Sequence, residues 1–375
     1  RRRQRQMCIR ERYIKEQAYS DIAFYPENIV MMSEKDGFNH LYLYTIGGNQ
    51  VRQITKGEYE VTDFLGWNEK TNEFFYRGYD NSPLRTAIFK VNRKGEVTKL
   101  STRTGTNDAI FSKNLAYYIN TFSNMHTPTL ITLNNSKGKE MVTLLDNKEL
   151  VSKTKNINMP QKEFFTFKTR QGVELNGWIM KPVNFNPDKK YPVILHQYSG
   201  PGSQQVLDKW GIGSFGDGGM FEAYMCDKGY IMVCVDGRGT GGRGAAFEKC
   251  TYMYLGVKES EDQVETAHYL STLPYIDGSR IGIWGWSFGG YNTLMSMSDG
   301  TGAFKAGVAI AAPSCWKYYD TVYTERYMRT PKENAEGYEA GSAISRAANL
   351  KGNLLLIHGT ADDNVHYQNC AEYSE

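Results

Sequence analysis

A serine hydroxyl becomes a nucleophile when a tight turn projects it into a site and a base takes its proton. The run Ile281-Gly-Ile-Trp-Gly285-Trp-Ser287-Phe-Gly289-Gly290 has the form for this. A short apolar strand leads into G-x-S-x-G, and a helix is expected over about 290–297. Side chains at the two flanking glycines would clash with so sharp a turn. The positive end of the helix lies beside Ser287 and favours negative charge developing there. G-x-S-x-G alone occurs by chance; the flanking strand and helix make it specific and set Ser287 apart from an ordinary strand-to-helix turn.

The serine needs a base, and the base an orienting carboxylate. On this type of turn the chain order is Ser, then Asp or Glu, then His. The apolar strand 354–358 runs into Gly359-Thr-Ala-Asp362-Asp363-Asn364-Val365-His366. Either Asp can orient the base, and the other then caps the turn. The six histidines stand at 40, 126, 196, 268, 358 and 366. His366 alone follows Asp362, four residues on along the same loop and too close for the usual arrangement. His358 reads as a structural contact, and the rest precede Ser287. The catalytic histidine is therefore expected beyond Glu375.

The oxyanion needs two donors. One is expected from the Phe288 N–H. The other is placed at Tyr198, which opens the loop Y-S-G-P-G after the apolar run 191–197; a buried aromatic at a strand end is the rival reading. Trp316, Tyr319 and Tyr323 fall at i, i+3 and i+7, the spacing of one helical face. Core packing and an aromatic specificity pocket, suited to a flat ring such as proline, both remain open.

These groups need a scaffold. From about residue 160, near-continuous apolar strands (191–197, 230–235, 280–285, 306–312, 354–358) alternate with helical stretches such as 259–270. That pattern predicts a mostly parallel sheet covered on both faces. Between about 28 and 150 the chain reads instead as short strands and turns. A unit recurs: HLYLYT, Gly48, VRQIT; AIFKVN, Gly95, EVTKLS; TLITLN, Gly138, KEMVTLLD. Spacings of 47 and 43 residues, with about four strands per unit, suit some two and a half propeller blades, with a β-sandwich as the alternative. Residues 1–14 are expected to be a doubtful, non-native segment. Residues 15–155 are expected to form the C-terminal part of a β-propeller, and 156–375 an α/β-hydrolase domain cut at its C-terminal end, where 370–375 opens a helix.

Composition narrows the classes. The chain has 375 residues and a formal charge of +3, but residues 1–12 hold six Arg against one Glu, leaving the body at −2. No acidic partner and no nucleic acid is implied. The apolar runs are far shorter than a membrane helix requires. Six scattered Cys without CxxC suggest neither a metal site nor a disulfide framework. The glycine-rich stretch 211–219 does not fit a phosphate loop and reads as a mobile loop.

KYPVILHQYSGPGSQ (190–204), VDGRGTGGRG (235–244), GWSFGGY (285–291), WKYYDTVYTERYM (316–328) and HGTADDNVH (358–366) together resemble the dipeptidyl peptidase IV branch of the prolyl oligopeptidase family, in a bacterial form. The resemblance covers about 27–375. It implies an α/β-hydrolase capped by an eight-bladed propeller, in chains about twice this length. It further implies a serine peptidase that releases X-Pro or X-Ala dipeptides from peptide N-termini without a cofactor or metal. Ser287 would be the nucleophile, Asp362 the orienting acid, and Tyr198 with the Phe288 N–H the oxyanion donors. Trp316, Tyr319, Tyr323 and Val365 would surround the proline, with Asn364 touching the substrate carbonyl. Phe288 replaces a common Tyr and Pro313 a common small aliphatic residue. The paired Glu that grip the substrate amine have no counterpart here. A homodimer that is periplasmic, secreted or membrane-tethered is implied for the whole protein. An acylaminoacyl peptidase or esterase, or a non-catalytic scaffold, are the competing functions.

Overall fold

The computed structural model describes residues 22–157, 159–213 and 219–375. The arginine-rich string 1–12 and the centre of the loop 211–219 lie outside the described residues.

Three four-stranded antiparallel meanders come first. They are β1–β4 (Ile22–Phe24, Asn28–Ser33, His40–Thr45, Gln50–Gln53), β5–β8 (Val61–Asn68, Glu73–Tyr79, Thr86–Val91, Val97–Lys99) and β9–β12 (Thr106–Phe111, Tyr117–Asn124, Thr127–Asn135, Glu140–Leu145). The second and third touch through one parallel pairing, Thr86 with Thr106. These are propeller blades, three among the described residues rather than two and a half. The recurring glycines sit in the turns between third and fourth strands, all left-handed: φ 80° at Gly48, 86° at Gly95 and 85° at Gly138. Asn92 and Asn135 build the second and third of these turns alike, their side-chain oxygens accepting backbone N–H bonds from two and four residues on.

The first strands of the second and third blades, β5 and β9, escape the sequence pattern because they carry polar residues, and β5 a glycine as well. In β5, Gly66 adopts φ 146° at a register shift. Asp63 of β5 and Asp108 of β9 share the Arg77 guanidinium at 2.5 and 3.2 Å.

Helix α1 (Lys148–Ile157) leads into a seven-stranded sheet. Its strands are β13 (Lys162–Lys168), β14 (Glu174–Met180), β15 (Tyr191–His196), β16 (Ile231–Asp236), β17 (Ile276–Trp286), β18 (Ala306–Ile310) and β19 (Asn353–Ile357), in the order 13-14-16-15-17-18-19. The last five in that order are mutually parallel, and the hairpin β13–β14 joins antiparallel, an edge the sequence reading did not foresee. Helices α2 (Met220–Asp227), α3 (Ala245–Glu248), α4 (Val257–Ser271), α5 (Phe288–Met297), α6 (Thr321–Met328), α7 (Ala335–Ala340), α8 (Ala343–Arg346) and α9 (Gln368–Ser374) complete the fold, an α/β hydrolase. Every residue of β16 is buried, as expected for a strand covered on both faces. Val233 and Val235 pack in one cluster with Val264, Ala267 and Leu270 of α4. Their neighbours Met232 and Cys234 pack in another, with Trp178 and Cys226 of α2.

Blades and hydrolase are bonded together. Arg85 pairs with Asp208 at 2.8 Å, and the same carboxylate accepts the Met125 N–H at 2.9 Å. Tyr79 donates to Gln204, and Lys249 pairs with Glu34.

Candidate active site

Strand β17 ends at Trp286 and α5 begins at Phe288, so Ser287 must reverse the chain by itself. It does so at φ 55°, ψ −118°, a region that costs a non-glycine residue roughly 1–3 kcal/mol. The Ser287 N–H donates to the Ile310 carbonyl at 2.8 Å, which anchors the turn to β18. No side chain fits at the flanking glycines. A Cβ on Gly285 would lie 2.6 Å from the Gln197 carbonyl oxygen, and one on Gly289 2.5 Å from the same atom. Strain at Ser287 is thus held by close contacts with the Gln197 backbone, as the motif implied.

Tyr198 follows β15, and its hydroxyl lies close enough to the Ser287 side chain to feel it electrostatically. Burial raises the phenol pKa more than the neighbouring Ser287 side chain lowers it, so the group stays protonated and able to donate at neutral pH. The ring rests on Gly200, where a Cβ would meet it at 2.7 Å, and faces Phe288 at a centroid distance of 6.2 Å. As the first helical residue of α5, Phe288 presents an N–H without an intrahelical acceptor.

Asp362 lies in the turn after β19. One carboxylate oxygen accepts the Asn364 and Val365 N–H groups, both at 3.0 Å, and the other is 3.7 Å from His358 Nε2. His358 itself is 2.6 Å from the Val365 carbonyl and ties the loop together. Asp363 and His366 are exposed.

All six histidines are described, and none is hydrogen-bonded to Ser287. His40 is buried in the first blade between Thr55 and the Gly57 carbonyl, and His126 meets Gln161. His196 is buried against Trp284, ring centroids 4.9 Å apart. Burial, with Lys162 nearby, pushes its pKa down to about 3. His268 lies on α4.

The aromatic residues do not share one helical face. Trp316 opens a single 3-10 turn, Tyr319 is extended at φ −113°, ψ 165°, and Tyr323 lies in α6. Asp320 breaks the run by capping α6, its carboxylate accepting the Tyr323 N–H at 2.8 Å. That Asp was the overlooked signal. The rings nevertheless gather: Trp316 to Tyr323 at 5.9 Å, Tyr319 to Tyr323 at 5.4 Å, and Trp316 to Phe288 at 5.6 Å. Tyr198 packs on the same cluster. Tyr319 donates to the Asn364 side-chain oxygen at 3.2 Å, and Val365 beside it is 2% exposed. The structure therefore brings Ser287, Tyr198, Phe288, Trp316, Tyr319, Tyr323, Asn364 and Val365 into one connected region, with Asp362 on the adjoining loop. Sequence reasoning passed over Gln197, a fully buried amide at the end of β15, and Tyr291, whose hydroxyl lies 2.7 Å from both the Leu255 and Gly341 carbonyls.

Comparison with known proteins identifies the family. A family model described as "Prolyl oligopeptidase family" matches residues 220–375, and one described as "Dipeptidyl peptidase IV (DPP IV) N-terminal region" matches 7–129. A probable dipeptidyl peptidase 4 of Aspergillus flavus is 36% identical over 349 residues, 91% of this chain and 44% of that protein. A probable dipeptidyl-aminopeptidase B of Arthroderma otae is 35% identical over 89% of this chain and 37% of its own length. The crystal structure of Porphyromonas gingivalis dipeptidyl peptidase 4 superposes with a TM-score of 0.92 at 49% identity, covering 97% of this chain and 51% of that one. The chain thus spans about half the length of the relatives it matches, with their blade region and hydrolase region joined in the same order. It belongs to the prolyl oligopeptidase family, in the dipeptidyl peptidase IV branch.

Proposed function

We propose that the full-length protein is a serine peptidase releasing X-Pro or X-Ala dipeptides from peptide N-termini. The observation that carries this reading is a strained Ser287 at the start of α5, with the Tyr198 hydroxyl close to it and a wall of aromatic rings alongside. Ser287 attacks the carbonyl that follows the proline as a base takes its proton. The developing oxyanion is held by the Tyr198 hydroxyl and the Phe288 N–H. The amine leaves with the proton, and water then hydrolyses the acyl-enzyme. Asp362 orients the base, which is none of the chain's own six histidines. Trp316, Tyr319, Tyr323 and Val365 receive the proline ring, with Asn364 near the substrate carbonyl. An aromatic wall suits proline because the flat ring loses little conformational freedom on burial.

Family resemblance supports a homodimer that is periplasmic, secreted or membrane-tethered. Among the described residues no helix is long and apolar enough to cross a membrane.

The test compares a Gly-Pro amide, an N-blocked Gly-Pro amide and a simple ester on the full-length protein. The free-amine substrate is expected to give the highest kcat/KM. Preference for the blocked amide would assign an acylaminoacyl peptidase instead, and preference for the ester an esterase.

A further inference from the structure

The residue before Tyr198 is a glutamine with no exposed surface, just past the end of the largely apolar strand β15. A buried amide has two N–H donors and two acceptor lone pairs to satisfy. Gln197 satisfies all four. Its Nε2 donates to the Gly289 carbonyl at 2.7 Å and to Thr293 Oγ1 at 3.2 Å. Its Oε1 accepts from Ser199 Oγ and from Asn292 Nδ2, both at 3.0 Å. Gly289, Asn292 and Thr293 lie in the first turns of α5, the helix that Ser287 caps. Ser199 follows Tyr198 and sits at φ 66°. The Gln197 backbone approaches the same elbow: its N–H donates to Trp284 O at 3.3 Å, and its carbonyl fills the space that side chains at Gly285 and Gly289 would need. One residue therefore binds the strand before the nucleophile, the helix after it and both sides of the oxyanion tyrosine.

Resting on the peptidase reading above, we propose that Gln197 is a positioning residue that sets the distance between the Tyr198 hydroxyl and the oxyanion that develops on the substrate carbonyl attacked by Ser287. Tyr198 stands on a loop, and loops hold geometry less well than strands or helices. One residue before Tyr198, the Gln197 side-chain amide fixes that loop to α5, so the hydroxyl and the Phe288 N–H move as one frame. A preorganised donor stabilises charge without reorganising when the charge appears. Loosening the frame weakens transition-state binding and leaves substrate binding nearly unchanged.

A double-mutant cycle with Tyr198→Phe in the full-length protein separates this role from plain packing. Gln197→Met keeps the volume and removes all four bonds. It is expected to lower kcat on a Gly-Pro amide about 10-fold with KM within about twofold. In the Tyr198→Phe background the same change should cost less than about twofold, because the hydroxyl it positions is gone. An equal loss in both backgrounds, or unchanged kcat, overturns the proposal. Gln197→Glu keeps the shape and loses the donor to Gly289; it takes the place of the Met variant should that fail to fold. If neither folds, Gln197 is a folding residue and the proposal fails. Wild-type protein that turns over no Gly-Pro amide overturns the underlying reading instead, and with it this one.

Discussion

The 375-residue chain, purified and assayed on a Gly-Pro amide, is expected to release product no faster than its own Ser287→Ala variant. The reason lies in where the histidines are, since the elbow is intact. A serine hydroxyl is a poor nucleophile at neutral pH, and its base must lie within hydrogen-bond reach. His196 is sealed behind Trp284 with its pKa pushed down to about 3, and cannot take a proton at pH 7. His358 is spent on the Val365 carbonyl, with a side chain only 2% exposed. His40 and His126 belong to the blades, His268 to α4, and His366 points into solvent. In a Ser–His pair, loss of the base typically costs about 10⁶ in kcat, much as loss of the serine does. Turnover by this chain that Ser287→Ala abolishes would mean that one of these histidines moves to the serine.

In the full-length protein, Tyr198→Phe is expected to lower kcat by about 10²–10³ with KM little changed. That is the usual cost of removing one oxyanion donor. The substitution is conservative in every other respect. Phenylalanine keeps the ring on Gly200 and opposite Phe288, and it fills the same half-buried space. Stability should therefore shift by less than about 1 kcal/mol. The two roles left open at this position separate cleanly. A tyrosine that only packs would tolerate the change, whereas a donor needed in the transition state would not. A silent Tyr198→Phe leaves the Phe288 N–H as the oxyanion donor that the elbow supplies.

Much of this architecture is legible in the sequence where burial and backbone geometry restrict residue choice. The parallel strands read clearly because both faces are covered, as in the uninterrupted IMVCV of β16. The elbow reads clearly because its glycines have no substitute. The blade turns announce themselves through glycines that must be left-handed. What escaped depended on partners far away in sequence. The polar strands β5 and β9 are held by Arg77, which no local pattern reveals. The hairpin β13–β14 joins the sheet antiparallel to β16, outside the parallel rule that found the rest. The aromatic spacing suggested one helix, yet Asp320 divides it and the rings converge by tertiary packing. Gln197 was invisible for the same reason: its four side-chain partners are assembled only when α5 packs against the end of β15.

The central claim is that Ser287 is the atom acylated by an N-terminally free X-Pro unit. The direct measurement is peptide-level mass spectrometry of the full-length protein after reaction with a Gly-Pro diphenyl phosphonate carrying a free amine, alongside its N-blocked counterpart. The account predicts a stoichiometric adduct on Ser287 with the free-amine reagent and much slower labelling with the blocked one. An adduct on another residue, or faster labelling by the blocked reagent, would contradict it.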